Sequence, residues 1–183
     1  MKVIAMKTLH RLLKMRTMVF RHYQVVRRSE LSKKIGRFDL LECLNWVNIV
    51  AINTEGKMVM VRQYRHGTDE ITLEIPGGAI DPGEDKLIAA KRELREETGF
   101  TSDEWHYLGE VTPNPAFMSN YCTTYLALNC KKTHELQLDP FEEIEVEEHP
   151  VEDVENKIAN GEIHHALVVA GMYYYQIFKS KQK

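Results

Sequence analysis

Gly78-Ala79-Ile80-Asp81-Pro82-Gly83-Glu84-Asp85-Lys86-Leu87-Ile88-Ala89-Ala90-Lys91-Arg92-Glu93-Leu94-Arg95-Glu96-Glu97-Thr98-Gly99-Phe100 is the most informative stretch of this 183-residue chain. It opens on a turn, because Pro82 presets φ and Gly83 tolerates φ > 0. A helix over about 85–98 follows, stopped by Gly99. Glu93, Glu96 and Glu97 then stand at i, i+3 and i+4, so three carboxylates share one helix face. Leu87, Ala90 and Leu94 form a neighbouring apolar arc that would anchor the helix to a sheet. Two like charges about 4 Å apart repel by roughly 4 kcal/mol once the effective dielectric falls to ~20. Arg92 and Arg95 offset part of that. A bound divalent cation offsets more, and hard carboxylate oxygens favour Mg²⁺ or Mn²⁺. Taken alone, three glutamates would still read as a solvated acidic face.

The complete spacing overturns that reading. Gly78, five residues, Glu84, seven residues, then Arg92-Glu93-Leu94-Arg95-Glu96-Glu97-Thr98-Gly99-Phe100 reproduces the Nudix box without a departure. The chain therefore resembles the Nudix hydrolases. The resemblance implies an α+β fold, an α/β/α sandwich with a mixed sheet. It also implies hydrolysis of a nucleoside diphosphate linked to another group, X. By the same resemblance Glu93 and Glu97 ligate metal, Glu96 lies close by as part of the catalytic set, and the Gly77 carbonyl is a further ligand. Arg92 orients the glutamates, and Glu84 reaches back from the loop as a ligand or a support. The physics is consistent, since a pyrophosphate facing an acidic helix is repelled unless cations reverse the sign.

The box fixes the reaction type and leaves X open. Leu73-Glu74-Ile75-Pro76-Gly77-Gly78, preceded by Val61-Arg62-Gln63-Tyr64-Arg65, resembles the ADP-ribose and nucleoside diphosphate sugar pyrophosphatase subgroup. Pro115 and the Gly161-Glu162-Ile163 entry to the last helix match it too. The implied activity is Mg²⁺-dependent cleavage of ADP-ribose or a related nucleotide sugar to a nucleoside monophosphate and a sugar phosphate. The rivals are a nucleoside triphosphate or dinucleoside polyphosphate pyrophosphohydrolase, and a catalytically silent nucleotide-sensing module. In the subgroup a late-loop glutamate completes the metal site or activates water. Glu142 fits that place first and Glu143 second, although Pro140 and Phe141 stand where acids are usual. Arg65 is a candidate phosphate fork or a surface ion pair. Trp46 stacks on a base or packs in the core. Phe117 and Ser119, with Asn114 and Met118, are candidate sugar contacts. His164 and His165 show no metal-ligand spacing relative to the box and read as bland.

Outside that region the chain is ordinary in composition, with 43% hydrophobic and 28% charged residues. Its 24 Lys and Arg against 27 Asp and Glu give a net charge of −3, which argues against nucleic acid as partner. The charge is nonetheless divided. Residues 1–37 hold eleven Lys and Arg and one acid, whereas 135–155 hold ten acids and neither Lys nor Arg. Three cysteines without a paired spacing fit a reducing cytoplasm. No apolar run is long enough to span a bilayer, and charges interrupt any signal-peptide core. Residues 4–13 read as a short basic helix on the surface or at a subunit contact. Strands are expected over 18–27, 39–53, 58–64, 72–75, 105–112, 121–129 and 143–148, and late helices over 151–160 and 163–179. The division expected is 1–45 as a small antiparallel β appendage and 46–183 as the catalytic domain. The subgroup resemblance further implies a homodimer built on that appendage.

Overall fold

Basic and apolar residues are interleaved along Lys7–Arg16, and this segment is a strand, β1, not the helix expected over 4–13. A short isolated helix is marginal in water. As a strand its backbone groups find antiparallel partners in Phe20–Arg28 (β2), from Lys7↔Arg28 to Arg16↔Arg21 with register shifts between Thr8 and His10 and between Leu13 and Met15. The Thr17 hydroxyl closes the turn, accepting the N–H of Val19 at 3.2 Å and of Phe20 at 3.0 Å. Ile35–Cys43 (β3) adds antiparallel to β2 and completes a three-stranded sheet. The computed structural model describes residues 3–182. It divides into two compact units, and this sheet belongs to the first, formed by residues up to Leu44 together with Thr112–Tyr121. Within it the 112–121 segment is stitched to β3. Leu41 donates its N–H to the Phe117 carbonyl at 2.7 Å and accepts from the Ser119 N–H at 3.0 Å.

The strand expected over 39–53 is thus two strands in two sheets, and no Pro or Gly marks the break at Leu44-Asn45. Trp46–Asn53 (β4) begins the second unit, which comprises Asn45–Val111 and the chain from Cys122 onward. Asn53 turns the chain, its side-chain oxygen accepting the N–H of Glu55 at 2.9 Å and of Lys57 at 2.8 Å. Lys57–Arg65 (β5) and Glu70–Glu74 (β6) form a hairpin. Gly77–Ala79 (β7) then pairs back on Trp46–Asn48, where the sequence suggested only a turn. After helix α1 (Lys86–Thr98) come Phe100–Thr101 (β8), Glu104–Val111 (β9), Cys122–Lys132 (β10) and Ile144–Pro150 (β11). Helices α2 (Val151–Ala159) and α3 (Ala166–Ser180) close the chain. The main path is β11-β5-β4-β10-β8, and only β4 with β10 is parallel, so the sheet is mixed.

Strand β4 is buried from Val47 to Asn53, so alternate side chains serve two cores. Val47, Ile49 and Ala51 pack with Ala89, Ala90 and Leu94 of α1. Val50 and Ile52 pack on the other side with Val154 of α2 and Val168, Met172 and Tyr175 of α3. One helix on one face and two on the other make the α/β/α sandwich.

Candidate functional site

Two local devices set the acidic face of α1. Asp85 caps its start, one side-chain oxygen accepting from the N–H of Leu87 at 2.9 Å and of Ile88 at 3.2 Å. Gly99 ends it in the left-handed region at φ 73°. Between them Ala89, Ala90 and Leu94 bury completely and fix the rotation of the helix, leaving Glu93, Glu96 and Glu97 towards β7 and the loop 137–142. Gly78 permits the approach, since a Cβ built there would lie 2.5 Å from the Glu93 carboxyl carbon. Gly77 is as constrained, because its Cβ would lie 2.2 Å from the Val47 carbonyl oxygen.

Arg92 sits at the centre of the acids. Its Nε and Nη2 bind the Glu84 carboxylate at 3.0 and 2.9 Å, and Nη1 reaches Glu93 at 2.8 Å and Glu96 at 3.2 Å. Nη2 also donates to the Ala79 carbonyl at 3.1 Å, which ties the cluster to β7. The guanidinium holds Glu84 below its ordinary carboxylate range. Glu93 goes the other way: burial pushes it up, and the Arg92 contact offsets only part of that.

Glu97 is the extreme case. It is 3% exposed, and its carboxylate accepts the Gly77 N–H at 2.9 Å. Burial raises its proton affinity well above the ordinary value, and the nearby charges of Glu93 and Glu142 add to the shift. No cationic side chain forms an ion pair with it among the described residues.

A cavity of about 400 Å³ opens over these groups, lined by Gly77, Gly78, Arg92, Glu93, Glu96 and Glu97, with Asp139 and Glu142 from the late loop. A second cavity of about 330 Å³ shares Gly77, Gly78, Ala79, Glu97 and Glu142 with the first. Its other walls include Trp46, Asn48, Gln63, Arg65, Glu74 and His165. There Arg65 grips Glu74 as a two-point fork, Nε to Oε1 at 2.7 Å and Nη2 to Oε2 at 2.6 Å. Burial alone would raise Glu74, but the fork outweighs it and Glu74 stays below its ordinary value.

Arg65, Trp46, Gly77, Arg92, Glu93, Glu96, Glu97 and Glu142 therefore meet at two cavities with a common wall. Glu84 lies behind, bound to Arg92 and to the Asp81 N–H at 3.0 Å. Glu143 is exposed and lines neither cavity. Phe117 and Ser119 lie in the first unit, paired with Leu41, and are not among the lining residues of either cavity. Sequence reasoning missed Asn48, Gln63, Glu74, Asp139 and His165. An acid between Leu73 and Ile75 at the end of β6 was the available signal for Glu74.

Among the described residues, no three His, Cys, Asp or Glu side chains converge into a ready-made metal cage. The donor chemistry nonetheless fits a hard divalent cation: buried carboxylate oxygens, one of them with raised proton affinity and no cationic partner.

A model of the NUDIX domain matches residues 45–170 of the chain. Over 150 residues the chain is 31% identical to an ADP-ribose pyrophosphatase of Bacillus subtilis (strain 168), covering 81% of each protein. Over 132 residues it is 32% identical to a methanol dehydrogenase activator of Bacillus methanolicus, covering 72% of this chain and 71% of that one. A crystal structure of an ADP compounds hydrolase has the same fold, with a TM-score of 0.86 over 100% of this chain and 98% of the other, at 21% identity.

Proposed function

Because this chain belongs to the NUDIX domain family, we propose that it hydrolyses the pyrophosphate bond of ADP-ribose or another nucleoside diphosphate sugar. The products are a nucleoside monophosphate and a sugar phosphate. The observation that carries the reading is Glu97, a buried carboxylate without a cationic partner, in the wall common to both cavities. Similarity to an ADP-ribose pyrophosphatase over most of both chains supports the choice of substrate class.

Glu93, Glu97 and the Gly77 carbonyl would hold a divalent cation, Mg²⁺ in the first place and Mn²⁺ as an alternative. Such an ion, when bound, neutralises the carboxylates and the charge that develops on the phosphate oxygens. Arg92 keeps Glu93 and Glu96 in place and ties them to Glu84 and β7. Glu142, which lines both cavities, takes the proton from the attacking water. Water oxygen bonds to phosphorus as the bridging P–O bond breaks. Arg65 has Nε and Nη2 committed to Glu74, and Nη1 remains to donate to a phosphate. Trp46 offers its ring to the base from the same cavity.

The proposal extends to assembly and location. The 1–45 segment is read as the dimerising appendage of a 46–183 catalytic domain. A monomeric mass by light scattering at micromolar concentration would count against it. Three free cysteines support a reducing, cytoplasmic setting, and no described helix is long and apolar enough to cross a membrane.

Incubation with ADP-ribose and Mg²⁺, beside GDP-, UDP- and ADP-hexoses and nucleoside triphosphates, tests the activity by product analysis. AMP and ribose phosphate in equal amounts are expected from ADP-ribose. Release of inorganic pyrophosphate from triphosphates, with the nucleotide sugars untouched, would contradict the reading.

A further inference from the structure

Glu74 and Arg65 have a geometry that strand pairing alone does not account for. In the β5–β6 hairpin Arg65 stands directly opposite Glu70, and Glu74 stands opposite Val61. Cross-strand opposition would normally pair this arginine with the nearer acid. Here Glu70 pairs with His164 at 3.0 Å instead, and Arg65 runs back along the strand to the buried Glu74. Glu74 is 3% exposed and built to receive it. Its Oε1 accepts from Thr72 Oγ1 at 2.5 Å as well as from Arg65, and His165 Nε2 lies 3.9 Å from Oε2.

The same arginine feels other carboxylates. Glu97 and Glu142 both act on it electrostatically, and all four side chains line one cavity of about 330 Å³. Glu97 has no cationic partner of its own among the described residues, so it is an open destination for a mobile guanidinium. An arginine seated on Glu97 would neutralise the oxygens that a divalent cation needs.

We propose that Glu74 is a positioning residue that holds Arg65 away from Glu97 and Glu142, leaving Glu97 to a divalent cation and Glu142 to the attacking water. Thr72 fixes the carboxylate and the two-point fork fixes the guanidinium plane, with Nη1 outside the fork and Arg65 in the cavity lining. The inference rests on the reading of the acidic cavity as a cation site.

The test reads cation binding without substrate. Mn²⁺ is titrated into the protein and the free ion is followed by its EPR signal. The set is the unmodified chain, Glu74→Gln, Arg65→Ala and the double variant, with KM and kcat for ADP-ribose measured in parallel. Glu74→Gln should weaken Mn²⁺ binding about tenfold or more, as loss of a support behind metal ligands does. The double variant should bind Mn²⁺ as tightly as Arg65→Ala alone, because no arginine is left to move. Glu74→Asp keeps the charge but breaks the two-point hold. It should lose several-fold in affinity, again erased by Arg65→Ala, and it serves if Glu74→Gln does not fold. KM should rise more than kcat falls in both single Glu74 variants. Unchanged Mn²⁺ affinity in the Glu74 variants, or a loss that persists with Arg65→Ala, would overturn the inference while leaving the cation site standing. No Mn²⁺ binding by the unmodified chain would overturn both.

Discussion

Glu74 and Glu97 line the same cavity, each is 3% exposed, and their proton affinities are displaced in opposite directions. Burial disfavours the charged form of both. Glu74 is rescued by Arg65, Thr72 and His165, all supplied by the chain. Glu97 receives a single backbone N–H from Gly77, two repelling neighbours in Glu93 and Glu142, and only a through-space attraction from Arg65, with no ion pair. One end of the cavity is electrically complete, and the other is built to be completed from outside. The contrast is a sharper pointer to a cation site than the number of acids on the helix.

Breaking the incomplete end should do the most damage. Glu97→Gln is expected to lower kcat for ADP-ribose about 10³-fold, the scale of losing a main electrostatic group at a reacting centre. Steady-state assays with saturating Mg²⁺ check this, and undiminished turnover would mean the site is misassigned. Glu142→Gln should cost about a hundredfold in kcat as the general base, and the exposed Glu143→Gln far less. A reversed ranking would move the base to Glu143. At the complete end, Arg65→Ala should raise KM about tenfold with a smaller effect on kcat, the loss of one charge-assisted hydrogen bond to substrate.

The smallest effect concerns stability and its sign. Glu97 has its folded-state proton affinity raised, so it favours folding at pH below the ordinary carboxylate range and opposes it as pH rises through the raised value. Metal-free Glu97→Gln should therefore be more stable than the unmodified protein at pH 8, with the gap closing on acidification. Thermal melts across pH would show it. A gap that widens towards acid would refute the assignment of Glu97 as the unpaired charge.

The sequence made the incomplete end readable because its parts are local. Pro82-Gly83, Asp85 and Gly99 bound one helix, and Glu93, Glu96 and Glu97 share its face at short spacings. The strand character of Trp46–Asn53 was likewise local, an apolar run within the expected 39–53 strand. The complete end was obscure, since Glu74 and His165 lie on elements far apart in the chain and meet only through folding. The β1 error had another source: its interleaved basic and apolar residues fit a helix or a strand, and pairing with β2 decided. The attachment of 112–121 to Leu41 rests on backbone hydrogen bonds, which leave no mark in side-chain pattern.

The difference between the two ends is tested most directly by proton release on cation binding. Mg²⁺ is titrated into weakly buffered protein at about pH 5–6, just above the ordinary carboxylate range. Glu97, with its proton affinity raised well above the ordinary value, should surrender its proton as the cation binds, and the release should fall in Glu97→Gln while persisting in Glu143→Gln. Binding without proton release, or release unaltered by Glu97→Gln, would contradict the account.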